Sequence, residues 1–119
     1  MSSPRFKPCD FSIEPDAYGR ARSVEWVTVD DAGQDRLRAA RMQHEYAYVI
    51  RMRALNEYGS IKHYAQVAGI DYQRITQVLR GRQIMRLEDI ALADRVLGNV
   101  WNQPQLEGPR NESVPHVLG

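Results

Sequence analysis

Two short helix-like runs separated by one glycine constrain the fold of this chain more than any other feature. The stretch YAQVAGIDYQRITQVLRG covers residues 64–81, with Gly69 between the runs. Glycine adopts positive φ at little steric cost, so the chain can reverse sharply there. Two helices this short cross closely only where a side chain is small, and Ala65 supplies that side chain. The spacing therefore predicts two short helices that cross at Ala65 and turn at Gly69.

The second of these helices is predicted to have an apolar inner side and a polar outer side. Asp71 is a good N-cap for it, and Gly81 is placed to end it after about Arg80. Ile75 and Val78, three residues apart, lie on the inner side. The outward side chains are those of Tyr72, Gln73, Thr76, Gln77 and Arg80, with Arg74 to one side.

Amide, hydroxyl and guanidinium groups on one short helix are suited to the edges of DNA bases. Glutamine pairs bidentately with adenine, whereas threonine and tyrosine contact a thymine methyl group or a phosphate. Arginine reaches guanine or phosphate, and a helix of about ten residues fits the major groove. This outer side therefore favours duplex DNA as the partner.

Two further helices are predicted around this pair, and the first helix of the pair has its own cap. A long helix should begin at Asp31, with Gln34 completing a capping box, and should end at Gly59. Ser60 caps the helix that runs to about Ala68, and a last helix covers residues 86–98. The apolar stripe of this last helix is Leu87, Ile90, Ala91, Val96 and Leu97.

The long helix has apolar residues on two sides. One broad half carries Ala39, Met42, Tyr46, Ala47, Val49, Ile50 and Ala54, and the opposite side carries Leu37, Tyr48, Met52 and Leu55. It therefore contacts more than one neighbour, either within one core or across a dimer interface.

The ends of the chain differ from this helical domain, which we place at residues 30–103. Residues 1–29 form an N-terminal extension in which SVEWVTV, Ser23–Val29, is typical of a short β-strand. Such a lone strand either packs on a helix or pairs with its copy in a second subunit. Cys9, the single cysteine, is expected to be a bystander in a mobile tail. Residues 104–119 are predicted to be a disordered tail.

Charge is concentrated in the middle of the sequence. Ten basic and three acidic residues lie in residues 36–86, a net charge of +7, whereas the whole chain carries +1. A basic block with acidic ends suggests a polyanion partner, and the alternative is an ordinary solvated helix surface. No apolar run reaches the ~18 residues that cross a bilayer, and the N-terminus lacks the apolar region of a secretory signal. These features predict a cytoplasmic protein with no membrane partner.

Enzymatic chemistry is not indicated. The three histidines, His44, His63 and His116, lie on separate segments. The sequence has no HExxH, no CxxC and no glycine-rich phosphate loop. Glu88 and Asp89 are adjacent, so their side chains point in different directions on a helix and do not form a paired-acid site. Their negative charges are expected instead to stabilise the N-terminus of the last helix. We predict no catalytic residue, no metal and no cofactor.

Residues 60–98 resemble the helix-turn-helix of the phage lambda-repressor/Cro-like family. The matching features are Ala65, Gly69, Ile70, Ile75, Val78, the LRG ending at Gly81, and LEDIALADRVLG. The resemblance implies an all-α bundle of four to five helices, here with a long first helix and a short N-terminal strand. It also implies base reading by Tyr72, Gln73, Thr76 and Gln77, and phosphate contacts near Ser60, Lys62, Arg80 and Arg82, to which Arg74 is added. This sequence departs from the family at Ile61, where many members have a glutamine that braces a phosphate, and Lys62 or His63 would substitute.

The resulting expectation is a sequence-specific double-stranded DNA-binding protein that regulates transcription. One short helix reads few base pairs, so we expect a homodimer on a palindromic operator, acting most simply as a repressor. The alternative is an antitoxin-like or adaptor protein whose residues 1–29 bind a protein partner. A third possibility is a structural homodimer without nucleic acid, in which Arg80 and Arg82 only complement a helix dipole.

Overall fold

The computed structural model describes residues 6–101 and is all-α in that part of the chain. Its α-helices are α1 (Gln34–Tyr58), α2 (Ile61–Ala68), α3 (Tyr72–Leu79) and α4 (Leu87–Leu97). Three 3₁₀ turns, Pro8–Phe11, Pro15–Ala17 and Asp31–Gly33, precede α1. The all-α prediction is confirmed, and the tail predicted at residues 104–119 lies outside the described residues.

The helix boundaries follow local capping signals. Gly59 and Gly69 end α1 and α2 with φ of 82° and 75°. The Ser60 hydroxyl accepts the His63 N–H at 3.0 Å, and the Asp71 carboxylate accepts the Gln73 N–H at 3.2 Å. These side chains satisfy donors that a helix N-terminus leaves unpaired, which fixes where α2 and α3 begin.

The predicted start of the long helix is wrong by one turn. Residues 31–33 form a 3₁₀ turn, and the carboxylate of Asp30, rather than that of Asp31, accepts the Gly33 N–H at 3.0 Å. The side-chain amide of Gln34 donates to the Val29 carbonyl at 3.3 Å, which is not the bond that the predicted capping box requires. The tighter first turn lets Asp30 take the capping position.

One hydrophobic core lies where the four helices meet. It consists of Ala47, Ile50, Ala54, Tyr64, Ala65, Ile75, Val78, Leu79, Ala93, Leu97 and Val100. The alanines Ala54 and Ala65 are completely or almost completely buried, as a close approach of short helices requires. From α3, only the side with Ile75, Val78 and Leu79 belongs to this core.

Two predicted apolar faces are shifted in the structure. On α1, Ala39 and Met42 are exposed, and the buried stripe instead includes Ala40, Gln43 and His44. Leu87, at the first position of α4, is 81% exposed. The α1 stripe differs from the prediction because Gln43 and His44 are buried with hydrogen-bond partners, which hydrophobic periodicity does not detect.

Residues 6–29, which we call the N-terminal strap, contain no β-strand. Ser12 and Trp26 form one isolated antiparallel bridge, flanked by bonds from Ile13 N–H to the Glu25 carbonyl and from Val27 N–H to the Phe11 carbonyl. The predicted strand at residues 23–29 does not extend because the facing segment consists mainly of 3₁₀ turns, which provide no regular ladder.

The strap is packed against the helices, and Cys9 is part of that packing. Cys9 is only 6% exposed and its N–H donates to the Gly81 carbonyl at 2.9 Å, so the prediction of a bystander in a mobile tail is wrong. The Tyr18 hydroxyl donates to the Ala40 carbonyl at 2.6 Å, and the Gly19 N–H donates to Nδ1 of His44 at 2.9 Å. The strap therefore joins the middle of α1 to the end of α3.

The strap approaches the end of α3 so closely that only glycine fits at two positions. Gly19 has φ of 72°, and a Cβ there would overlap the Leu79 carbonyl oxygen. Gly81 has φ of 76°, and a Cβ there would lie 2.6 Å from the Tyr18 ring. Both positions combine positive φ with steric exclusion, so the contact between the strap and α3 depends on them.

Candidate nucleic-acid interface

The orientation of α3 is set by its connection to α2. The Ile70 N–H donates to the Ala65 carbonyl at 3.0 Å, which closes the turn that begins at Gly69. Asp71 then caps α3, and Ile75, Val78 and Leu79 enter the core. Since successive residues of a helix are about 100° apart, Gln73 and Gln77 point away from the core, whereas Tyr72 and Thr76 lie at its edge.

The four predicted base-reading residues lie on the outer side of α3 or at its edge. Tyr72 is 41% exposed and Gln73 is exposed, whereas Thr76 and Gln77 are half-buried. The Thr76 Oγ1 atom is buried and has no hydrogen-bond partner among the described residues. The face is thus most accessible at its N-terminal turn and becomes recessed one turn later.

Cationic side chains surround this face. Lys62 in the first turn of α2 and Arg82 after α3 are exposed. Arg80, the C-cap of α3, is half-buried, and its Nη2 lies 4.0 Å from the exposed carboxylate of Asp16. An ion pair of this length with a solvated partner contributes little to stability. The charge of Arg80 is therefore only weakly neutralised by Asp16.

Ser60 and His63 are engaged at the start of α2. The Ser60 hydroxyl accepts the His63 N–H, and Nδ1 of His63 lies 3.0 Å from the Tyr58 carbonyl, to which it donates in the matching tautomer. The substitution of His63 for the missing glutamine is therefore constrained by this contact, whereas Lys62 is free of it.

Arg74 has a structural contact that its sequence position did not reveal. Its Nη2 donates to Oδ2 of Asp89 at 2.7 Å, and Asp89 also accepts the Arg86 N–H at 2.9 Å. This hydrogen bond raises the pKa of Arg74 and links α3 to the start of α4. The predicted phosphate contact of Arg74 would have to use its remaining donors.

Sequence reasoning missed Gln43, which holds the end of α3 in place. Its Nε2 donates to the Val78 and Gln83 carbonyls at 2.9 Å each, and its Oε1 accepts the Met85 N–H at 2.8 Å. All of the hydrogen-bonding capacity of one amide side chain except one acceptor site is thus used. The available signal was a polar residue within the buried stripe of α1.

A cavity of about 330 Å³ lies beside the outer face of α3. It brings together five residues with predicted roles: Ser60, Lys62, Tyr72, Thr76 and Arg80. It also includes Arg20 of the strap and Arg51 of α1, neither of which was predicted to be part of a site. Gln73 and Gln77 do not line it.

Comparison with known proteins found no relative of this chain. No family model matches it, and no curated protein or solved structure matches it. Within residues 6–101, no helix is long and apolar enough to cross a membrane. In the same residues no group of three or more His, Cys, Asp or Glu side chains is arranged to hold a metal ion.

Proposed function

We propose that this protein binds double-stranded DNA through the outer face of α3 and regulates transcription. The observation that carries the proposal is the orientation of α3: its apolar residues are buried, and Tyr72 and Gln73 are exposed beside cationic side chains. An exposed helical face rich in amide and hydroxyl groups and bordered by cations is complementary to base edges and phosphates.

The arrangement of α2 and α3 supports a helix-turn-helix of the lambda-repressor-like kind. Two eight-residue helices are joined by the three residues Gly69, Ile70 and Asp71, with α1 before them and α4 after them. In a helix-turn-helix, the N-terminal residues of the second helix contact base edges. That position corresponds to the most exposed part of α3.

Base reading is assigned to Tyr72, Gln73, Thr76 and Gln77, and phosphate contact to Ser60, Lys62, Arg74, Arg80 and Arg82. Since eight residues of helix cover few base pairs, we infer that the protein binds as a homodimer on a palindromic site. Repression is the simplest mode, because the proposal requires only occupancy of an operator.

The alternative, an adaptor that binds a protein through residues 1–29, has less support. Tyr18 and Gly19 are buried in contacts with α1 and α3, which leaves the strap's central residues engaged within the chain.

Selection from a random duplex pool tests the proposed reading face. The wild-type chain should enrich a defined half-site, and Gln77→Ala should relax its preference at one base pair by ~1–3 kcal/mol. Gln66→Ala, an exposed glutamine of α2 outside the proposed face, is the matched control and should select the wild-type sequence. An unchanged preference in both Gln77→Ala and Gln73→Ala would refute the assignment of this face.

A further inference from the structure

The cavity beside α3 has walls from four separate parts of the chain. Arg20 comes from the strap, Arg51 from α1, Ser60 and Lys62 from the start of α2, and Thr76 and Arg80 from α3. Its volume of about 330 Å³ is at the lower end of the ~300–1,000 Å³ typical of ligand sites. It therefore has room for a small group rather than a large molecule.

Four cations, Arg20, Arg51, Lys62 and Arg80, line the cavity, and its lining includes no carboxylate from residues 6–101. The nearest acid paired with any of them is Asp16, whose carboxylate is 4.0 Å from Arg80 and whose side chain is 88% exposed. Among residues 6–101, the weak pair with Asp16 is therefore the only ion pair of these four like charges, and a bound anion would relieve their mutual repulsion.

Among these four cations, Arg51 has a pKa that is lowered by its surroundings. Burial lowers its pKa, and the positive charges of Arg20 and Arg80 lower it further. Arginine stays protonated in proteins, so the charge of Arg51 persists in this partly desolvated place. An anion that reaches it would be attracted more strongly than at the open surface.

Uncharged donors complete the lining. The cavity includes the first residues of α2, Ile61 and Lys62, whose N–H groups have no acceptor within the helix. His63 N–H, by contrast, already donates to the Ser60 hydroxyl. Free N–H groups and the positive end of a helix dipole favour an anion with several oxygens, and the guanidinium groups add forked donors.

We propose that this cavity binds one phosphate group, with Arg20 and Arg51 as ligands in addition to Lys62 and Arg80. The source of the phosphate is the backbone of the duplex on α3, an attribution that rests on the proposed function. The strap then contributes directly to nucleic-acid binding, because Arg20 reaches the cavity only while the strap is packed on α1 and α3.

A titration of the full chain with inorganic phosphate, followed by amide NMR at constant ionic strength, tests the cavity itself. Saturable shifts are expected at Ser60, Ile61, Lys62 and Thr76, and chloride should not reproduce them. Arg51→Gln and Arg20→Gln should each weaken phosphate binding about tenfold, whereas Arg95→Gln, an exposed arginine of α4, should not. Asp16→Asn, which removes the competing carboxylate without touching the core, should strengthen binding.

Equal binding by all variants, or equal shifts with chloride, would overturn the proposal. Thermal melting of each variant identifies any that fail to fold, and Asp16→Asn keeps the test valid in that case.

A second arm identifies the source of the phosphate. Duplex DNA should displace inorganic phosphate, and Arg20→Gln and Arg51→Gln should each reduce the salt dependence of duplex binding by about one counterion. Phosphate shifts with no effect of either variant on duplex binding would support the cavity and assign it to a free phosphorylated molecule. Phosphate shifts in a chain that binds no duplex would support the cavity and refute the proposed function.

Discussion

Gln43 allows the sharpest test of how α3 is held, because one side chain makes three hydrogen bonds at its end. Methionine at this position has a similar length and fills the same space, but it can form none of the bonds to Val78, Gln83 and Met85. A typical intramolecular hydrogen bond contributes about 1 kcal/mol net, so Gln43→Met should lower the free energy of unfolding by about 3 kcal/mol. For a domain of this size, the melting temperature should fall by roughly 12–24 °C.

Thermal and urea unfolding followed by circular dichroism would measure this loss. Gln66→Met is the matched control, because Gln66 is exposed on α2, and it should stay within about 0.5 kcal/mol of wild type. Gln43→Glu should be at least as destabilising at neutral pH, since it sets a carboxylate oxygen against two carbonyl oxygens. A Gln43→Met melting temperature within about 2 °C of wild type would refute the role assigned to this residue.

Two further predictions concern residues where the strap contacts the helices. Gly19→Ala should destabilise the fold by at least ~2 kcal/mol, because it combines positive φ with an overlap onto the Leu79 carbonyl; Gly59→Ala, with similar φ and no atom within 4 Å, should cost only about 1 kcal/mol in the same urea titration. His44 is 2% exposed and burial lowers its pKa from 6.5, so below pH 6.5 the unfolded chain binds a proton that the folded chain resists. The free energy of unfolding should therefore fall as the pH drops through 6.5, by at most ~1.4 kcal/mol per pH unit, and a His44→Gln variant with an equally steep pH profile would contradict this reasoning.

Short-range features of the fold were predictable from sequence. The bounds of α2 and α3 follow from Ser60, Gly69 and Asp71, each of which acts on backbone within a few residues of itself. The inner side of α3 follows from the spacing of Ile75 and Val78, so its outer side followed as well. Local capping and periodicity are sufficient for such features.

Features that depend on contacts distant in sequence were not predictable. Gln43 bonds to residues 35, 40 and 42 positions away, and the Tyr18 hydroxyl to a carbonyl 22 positions away. The composition of residues 23–29 is typical of a strand, but a strand also requires a partner with a regular ladder of donors and acceptors. The cavity cations Arg20 and Arg51 become neighbours only when the strap packs on α1.

The salt dependence of duplex binding tests the central claim, that α3 and its surrounding cations face DNA. The four cations of the proposed function, Lys62, Arg74, Arg80 and Arg82, give a slope of log affinity against log salt of about −3.6 per chain, and phosphate binding by Arg20 and Arg51 would steepen it to about −5.4. The account therefore predicts that affinity for a selected duplex falls by about 100-fold or more between 50 and 200 mM salt. Failure to bind any duplex at low salt, or equal affinity at the two salt concentrations, would contradict it.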